Sequence, residues 1–223
     1  CIRDRTSGDS AVRIMLHSDS LENHRDHYDG TRLGFNPTIK IKMNESTTLD
    51  LSYEYADHER YIDRGIPTEN GEPVERFEKI TFGGDDNLTT LKANILRATL
   101  SKVFSDTRKG NLSIVSSDFE KMYKNYYASG YTAGATVVTM DGYLDPTERE
   151  NTIISGNIVN EVGNHTLLVG VELIDTTNEN FRYNTFWSTT SDDNEVFNIT
   201  RPMDFSVNSA GVATSNDYTA DLK

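Results

Sequence analysis

Arginine, lysine and aromatic side chains recur in three polar segments of this chain, and they are the residue types best suited to recognise a ligand. The segments follow Tyr55, Glu120 and Asn178. They contain Arg60, Tyr61, Arg64, Lys121, Tyr123, Lys124, Tyr126, Tyr127, Tyr131, Phe181, Arg182, Tyr183, Phe186 and Trp187. Cationic groups pair with anions, and aromatic rings stack on flat groups or accept a cation over their faces. The alternative is that these rings pack the loops and line a membrane interface.

No pattern of nucleophilic, acid–base or phosphate-binding residues accompanies these segments. G-x-S-x-G, H-E-x-x-H, a Cys–His pair and a phosphate loop are all absent from the sequence. The histidines of His24–His27 and His58, and the acidic triplets Asp85–Asn87 and Asp192–Asn194, lack the ligand series of a zinc or calcium site. We therefore predict that the chain is not an enzyme and holds no metal or cofactor.

Composition argues against two further classes of protein. The 223 residues carry a net charge of −13, which argues against nucleic acid as a partner because phosphate binding needs a basic surface. No run approaches the ~20 apolar residues of a transmembrane helix, although strands need only alternate apolar residues to cross a bilayer. Cys1 is the only cysteine, so the chain has no intrachain disulfide.

The elements that would position the polar segments are strands, joined alternately by tight turns and long loops. Seven strands are predicted, at Ala11–Asp19, Arg32–Lys42, Thr47–Asp57, Leu91–Ser105, Asn111–Tyr123, Arg149–Val162 and Thr166–Asp175. Tight turns join the second strand to the third, the fourth to the fifth and the sixth to the seventh. An outer-membrane β-barrel has this arrangement, with short turns at one rim and long loops at the other.

Period-two alternation is clearest in Thr47–Asp57. One face carries Leu49, Leu51, Tyr53 and Tyr55, and the other carries Asp50, Ser52, Glu54 and Ala56. In a barrel the Leu/Tyr face meets lipid and the polar face lines the lumen, but a β-sandwich strand with one wet face has the same pattern. Leu91–Ser105 also fits a helical spacing through Leu91 and Ile95, although its hairpin context favours a strand.

The organisation of the whole chain follows from these elements. No linker divides residues 1–223, so we expect a single all-β domain, and no strand is predicted in the polar tail Asn178–Lys223. Seven strands cannot close a barrel of the plugged-transporter class, which needs about 22. Because lipid does not tolerate an open sheet edge, the chain is expected to be part of a larger antiparallel transmembrane barrel.

Four stretches of the sequence resemble the barrel of TonB-dependent siderophore receptors. Gly30–Leu51 reads GTRLGFNPTIKIKMNESTTLDL, and Ser52–Pro67 continues as SYEYADHERYIDRGIP. Phe82–Asn87 is similar to the F-G-x-P-x-D-N loop of that family but lacks its proline, and Ala93–Leu100 is similar to the strand that follows it. The similarity extends over about residues 9–175. No stretch resembles the family's plug domain, TonB box or terminal aromatic strand.

The resemblance implies a segment of a receptor in the outer membrane of a Gram-negative bacterium, which takes up ferric siderophores and catalyses no reaction. The implied partners are the siderophore, outer-membrane lipid and the energy-coupling protein TonB, acting through the plug domain and TonB box. Anionic catecholate chelates favour arginines and aromatic rings at the receptor mouth. The ligand-binding candidates are therefore Arg60, Tyr61, Arg64, Tyr126, Tyr127, Tyr131 and Trp187.

Three other interpretations stay open on the sequence alone. A receptor of the same superfamily for haem, vitamin B12 or a saccharide would have the same strands and different loops. A secreted β-sandwich binding module or adhesin would be soluble without detergent. A β-rich enzyme would need convergent carboxylates or histidines.

Overall fold

A computed structural model of the protein describes residues 2–7 and 9–220, so Cys1, Gly8 and the last three residues lie outside it. The prediction of an all-β chain is confirmed, and no helix in this part is long and apolar enough to cross a bilayer. The elements are β1 (Ile2–Ser7), β2 (Ser10–Glu22), β3 (Asp29–Asn44), β4 (Thr47–Tyr61), β5 (Thr68–Glu69), β6 (Glu72–Pro73), a 3₁₀ turn (Glu75–Phe77), β7 (Leu88–Ser105), β8 (Arg108–Gly130), β9 (Val137–Val162), β10 (His165–Asn180), β11 (Tyr183–Trp187), β12 (Glu195–Asn198) and β13 (Asn216–Ala220).

The long strands form one antiparallel sheet in the order β1-β2-β3-β4-β7-β8-β9, and β10 pairs with β9. Two-residue turns join β3 to β4, β7 to β8 and β9 to β10 at one end of the sheet, here called the short-turn end. Asn44 accepts a hydrogen bond from the Ser46 backbone in the first turn, and Gly163 supplies a φ of 61° in the third. The long connections lie at the opposite, loop end, as predicted. Because Leu91–Ser105 lies within β7, the helical alternative for it is wrong.

One face of this sheet is apolar from β2 to β10. Register partners in one row are Val12, Ile39, Leu51, Ala98, Ile114, Ile154 and Leu173. These side chains stay uncovered: Ile114 is 45% exposed and Leu173 is 64% exposed. A continuous exposed apolar band of this size is characteristic of a surface that meets another apolar phase.

The opposite face of the same strands is polar. Lys40 forms an ion pair with Asp50 at 3.3 Å, and Arg97 forms one with Glu54 at 3.3 Å. The long strands form a single sheet rather than two facing sheets, so the β-sandwich alternative is wrong. The two surfaces are called the apolar face and the polar face below.

The hairpin of β8 and β9 is much longer than predicted. The sequence predicts a strand end at Tyr123 and a strand start at Arg149, with a long loop between them. That loop prediction is wrong, because only residues 131–136 lie outside the two strands. The upper part of the hairpin packs its apolar side chains on other segments of the chain. Its strands therefore continue well beyond the residues that the sequence predicted as strand.

The prediction that the tail contains no strand is also wrong. β11 pairs with both β13 and β9, and β12 pairs with β9. The tail thus continues the sheet beside the loop-end half of β9, whereas β10 occupies the half nearer the short turns.

The main buried cluster of the described residues lies at the loop end and is called the loop core. It consists of Val74, Phe77, Ile80, Phe82, Tyr126, Val138, Met140, Trp187 and Phe197. The Trp187 and Phe197 rings are 5.0 Å apart between centroids, and Phe205 packs edge-on against Phe197. These residues are too widely spaced in the tail to give a periodic signal, which is why the sequence did not predict the tail strands.

Candidate ligand-binding site

Three tyrosines meet on the polar face of the β8–β9 hairpin, towards the loop end. In the register of the hairpin, Tyr123 lies opposite Asp145, and Tyr127 lies opposite Asp141. Tyr143 lies between these two pairs on β9. Its ring stacks on Tyr123 at 5.9 Å between centroids and meets Tyr127 edge-on at 6.2 Å. Period-two alternation therefore places the three rings side by side on one surface.

Two arginines from other segments cover these rings. Arg64, from the connection between β4 and β5, lies 4.2 Å above the Tyr127 ring centroid. Arg182, from the connection between β10 and β11, lies 4.2 Å above the Tyr143 ring centroid. Both distances are within the range of a cation–π contact. The five residues Arg64, Tyr123, Tyr127, Tyr143 and Arg182 are called the Arg–Tyr cluster below.

The two arginines differ in how their charge is compensated. Arg182 donates two hydrogen bonds to the Asp145 carboxylate, at 2.8 and 2.6 Å, and these bonds raise the pKa of its guanidinium. Arg64 donates only to neutral groups, the Asn125 side-chain oxygen at 3.3 Å and the Tyr143 hydroxyl at 3.4 Å. Among the described residues Arg64 forms no ion pair. Its charge therefore remains available to an anion.

Tyr123 and Tyr127 of the cluster are neutral at physiological pH. Burial raises the pKa of Tyr127 to about 12, and the hydrogen bond that its hydroxyl donates to Asp141 at 2.7 Å acts in the same direction. Burial likewise raises the pKa of Tyr123. The cluster thus presents aromatic rings beside one guanidinium with a carboxylate partner, Arg182, and one without, Arg64.

A cationic cavity adjoins the cluster on the polar face. The cavity has a volume of about 550 Å³, and its lining includes His17, Arg32, His58, Arg60 and Lys121. Arg60 pairs in register with Thr89, which pairs with Tyr123 of the cluster, so the two regions are continuous. The lining also contains Glu59, so arginine and lysine outnumber the carboxylate by three to one. An excess of one sign of charge in a concave surface concentrates ligands of the opposite sign. This concentration of cations contrasts with the net charge of −13 of the chain.

The structure distributes the seven sequence-derived candidates over different environments. Arg64 and Tyr127 lie in the Arg–Tyr cluster, and Arg60 lines the adjoining cavity. The other aromatic candidates lie elsewhere: Tyr61, Tyr126 and Trp187 are 2%, 5% and 1% exposed, and Tyr131 ties two loops together.

Sequence reasoning did not place Tyr143 in the site, and it did not include Tyr123 or Arg182 among the final candidates. The signal was present in the alternation of the hairpin. Tyr123 and Tyr127 are four residues apart, and Tyr143 lies two residues after Asp141 and two residues before Asp145. A strand assignment for this stretch, in place of the predicted loop, would have put all three rings on one face.

Acidic side chains near the loop end have basic residues of the chain itself as partners. Asp85 lies 3.1 Å from His27, and Asp86 forms an ion pair with Lys124. Among the described residues, no group of three or more His, Cys, Asp or Glu side chains is arranged to hold a metal ion.

No protein-family model matches the chain, and no curated protein matches its sequence. Three solved structures resemble it in fold. The siderophore receptor PiuA from Acinetobacter baumannii has a TM-score of 0.75 and 14% identity over 98% of this chain and 35% of the receptor. BauA, the ferric preacinetobactin receptor of the same organism, has a TM-score of 0.71 and 13% identity over 96% of this chain and 33% of the receptor. The open form of Fiu, the ferric-catecholate import receptor of Escherichia coli K12, has a TM-score of 0.68 and 16% identity over 98% of this chain and 34% of the receptor.

The chain thus spans about a third of the length of these solved receptors. At such low identity the likeness shows the fold, which is a section of an antiparallel barrel wall with long loops at one end.

Proposed function

We propose that this chain is a section of an outer-membrane receptor that binds a ferric siderophore at its loop end for TonB-dependent uptake. The observation that carries the proposal is the Arg–Tyr cluster, which lies on the polar face beyond the apolar band. A ligand arriving at the loop end would meet this surface on its way into the lumen. The fold likeness to solved siderophore receptors supports a barrel wall as the frame of the site.

The placement in the membrane follows from the two faces of the sheet. The apolar face would contact the lipid of a Gram-negative outer membrane, and the polar face would line the lumen. Residues 1–223 would then form part of one barrel domain. TonB would act on the full-length receptor through a plug domain and TonB box, and the chain itself would bind and pass ligand without catalysing a reaction.

The chemistry of the cluster favours an anionic chelate that carries aromatic rings. An iron(III) tris-catecholate has several negative charges and flat ring faces. Arg64 offers a guanidinium without a carboxylate partner, and Tyr127 and Tyr143 offer aromatic rings beside it. Arg60 and Lys121 in the adjoining cavity would continue the attraction inward.

Binding to the natural full-length protein in detergent tests the proposal. Quenching of intrinsic fluorescence would be titrated with an iron(III) tris-catecholate and, for comparison, a neutral iron(III) trihydroxamate. Arg64→Ala and Tyr127→Leu are each expected to weaken tris-catecholate binding about tenfold, because each removes a contact worth about 1–2 kcal/mol. Lys109→Gln, which changes an exposed cation on the polar face at the short-turn end, is the matched control and is expected to bind as the wild type does.

Different results would contradict the proposed binding site and the proposed function. Unchanged affinity in the Arg64 and Tyr127 variants would overturn the cluster as the binding site. Binding of haem or vitamin B12, with no binding of either iron chelate, would overturn the siderophore function and favour another ligand of the same superfamily.

A further inference from the structure

The apolar face contains a groove near the short-turn end. The groove has a volume of about 480 Å³, and its apolar lining includes Leu100, Phe104, Leu112, Ile158, Val169 and Val171. Its floor is formed by Gly110 of β8 and Gly156 of β9, which lie at diagonal positions of neighbouring strands. Where the surrounding strands carry large side chains, these two positions carry none, so a channel opens between β7 and β10.

The two glycines are not equivalent. A Cβ atom at Gly110 would lie 2.6 Å from the Asn157 carbonyl oxygen, so the close strand approach requires glycine there. A Cβ atom at Gly156 would meet its nearest neighbours at 3.5 and 3.7 Å, which is ordinary contact distance. The backbone therefore admits a side chain at Gly156, and the space above this residue is empty volume of the groove.

Two cations lie beside the groove at its short-turn end. Lys102 is the register partner of Gly110, and Arg108 precedes Gly110 by two residues on the same face of β8. Both side chains are exposed. Lys102 donates to the Thr47 hydroxyl at 3.2 Å, and Arg108 donates to the Asn160 side chain at 3.1 Å. In the described part of the chain neither cation forms an ion pair with a carboxylate.

We infer that this groove is a binding site for a glycerophospholipid, with an acyl chain along the glycine floor and the phosphate against Lys102 and Arg108. The inference rests on the membrane placement in the proposed function. The groove is lined mainly by apolar side chains, which suit a hydrocarbon chain. Lys102, which also lines it, and Arg108 are cations without a carboxylate partner and are the complement to a phosphate. The cations lie at one end of the apolar groove, as the phosphate lies at one end of the acyl chains in a phospholipid.

Lipid retention on the natural full-length protein tests the inference. The protein would be purified in detergent, supplied with dioleoylphosphatidylglycerol and analysed by native mass spectrometry. The double variant Lys102→Gln/Arg108→Gln is expected to retain at least fivefold less phospholipid than the wild type. Gly156→Leu, which fills the groove while both cations remain, is expected to reduce retention to a similar extent.

Two matched controls accompany these variants. Thr152→Leu adds the same side chain to the apolar face of β9 outside the groove, and Lys109→Gln removes a cation from the polar face. Both are expected to retain phospholipid as the wild type does. Dioleoylglycerol, which lacks the phosphate, is expected to be retained poorly, and inorganic phosphate is expected not to displace the phospholipid.

Equal retention in all variants would overturn the inference, as would retention of dioleoylglycerol as strong as that of the phospholipid. Displacement by inorganic phosphate would show an anion site without a role for the groove and would also overturn it. Membrane fractionation and tris-catecholate binding of the same variants report on the proposed function separately. A protein that reaches the outer membrane and binds chelate, but retains no specific phospholipid, would contradict only this inference.

Discussion

Adjacent residues of one strand have opposite environments in this molecule, and Tyr126 and Tyr127 are the clearest example. Tyr127 lies on the polar face under Arg64 and donates to Asp141. Tyr126 lies on the other face, packed against Trp187 in the loop core. The residue type is the same, so its position in the strand alternation decides whether the ring is available to a ligand or supports the fold.

Alanine substitution should separate these two roles. Tyr126→Ala removes a buried ring from a packed cluster, and we expect it to lower the free energy of unfolding by about 3 kcal/mol. Tyr127→Ala removes one cation–π contact and one hydrogen bond, so we expect a loss of only about 1 kcal/mol together with loss of chelate binding. Thermal unfolding and chelate titration of both variants in detergent would measure this difference. Equal destabilisation by the two substitutions would contradict the assignment of faces.

At the scale of elements, the loop end is held together by ties between connections. Glu69 of β5 accepts hydrogen bonds from the Gly134 backbone N–H at 2.7 Å and from the Tyr131 hydroxyl at 3.1 Å, and Arg76 donates to the same hydroxyl. This contact joins the connection between β4 and β7 to the tip of the β8–β9 hairpin. Tyr131, a sequence-derived ligand candidate, lies at the centre of the tie.

The tie should weaken in acid. The Gly134 hydrogen bond, together with those of Tyr131 and the charge of Arg76, holds the pKa of the Glu69 carboxyl below its ordinary value. A lowered folded-state pKa means that the stabilisation is complete above the unfolded-state pKa and is lost as the pH falls through the lowered folded-state value. We therefore expect amide exchange at residues 131–136, corrected for the intrinsic effect of pH, to become faster as the pH falls below about 4.

Removal of the carboxylate should reproduce this change at neutral pH. Glu69→Ala is expected to speed exchange at residues 131–136 at pH 7 and to remove the acid transition there. Glu72→Ala, on the neighbouring strand β6, is the control and should leave both unchanged. Persistence of the acid transition in the Glu69 variant would assign it to another group.

The strands that the sequence predicted and those that it missed differ in what covers them. β4 alternates between apolar and polar residues from Leu49 to Tyr55, and β7 does so from Leu96 to Leu100. The tail strand β11 has no such pattern. Its buried Trp187 packs on Phe197, and long-range packing of this kind leaves no local period in the sequence. The sequence analysis named Arg64 and Tyr127 but not Tyr143. Because it predicted a loop between Tyr123 and Arg149, it did not show that Tyr143 and Tyr127 share one face of a hairpin.

At the scale of the whole molecule, the chain is two-sided. The alternation of short turns and long loops, which could be read from the sequence, predicted both the direction of every long strand and the end at which the binding segments gather. The register then placed seven strands' apolar residues on one surface and the ion pairs Lys40–Asp50 and Arg97–Glu54 on the other. The packing of the loop end was beyond local patterns, because it joins segments as far apart as Asp26 and Arg201, which form a two-point ion pair.

Because the sheet has one apolar and one polar face, a new charge should destabilise the protein by different amounts at two adjacent positions of a strand. Ile114 lies in the middle of the apolar face, and Ser113, one residue earlier, lies on the polar face with its hydroxyl 2.9 Å from that of Thr99. We expect Ile114→Arg to destabilise the full-length protein in phospholipid vesicles by about 2–4 kcal/mol, the cost of a cation at the lipid midplane. Ser113→Arg should cost about 1 kcal/mol or less because its charge enters water on the polar face. Guanidinium unfolding of both variants in vesicles would measure the difference. Equal costs would mean that the apolar face does not contact lipid, and the membrane placement, the chelate route along the polar face and the phospholipid groove would all lose their common premise.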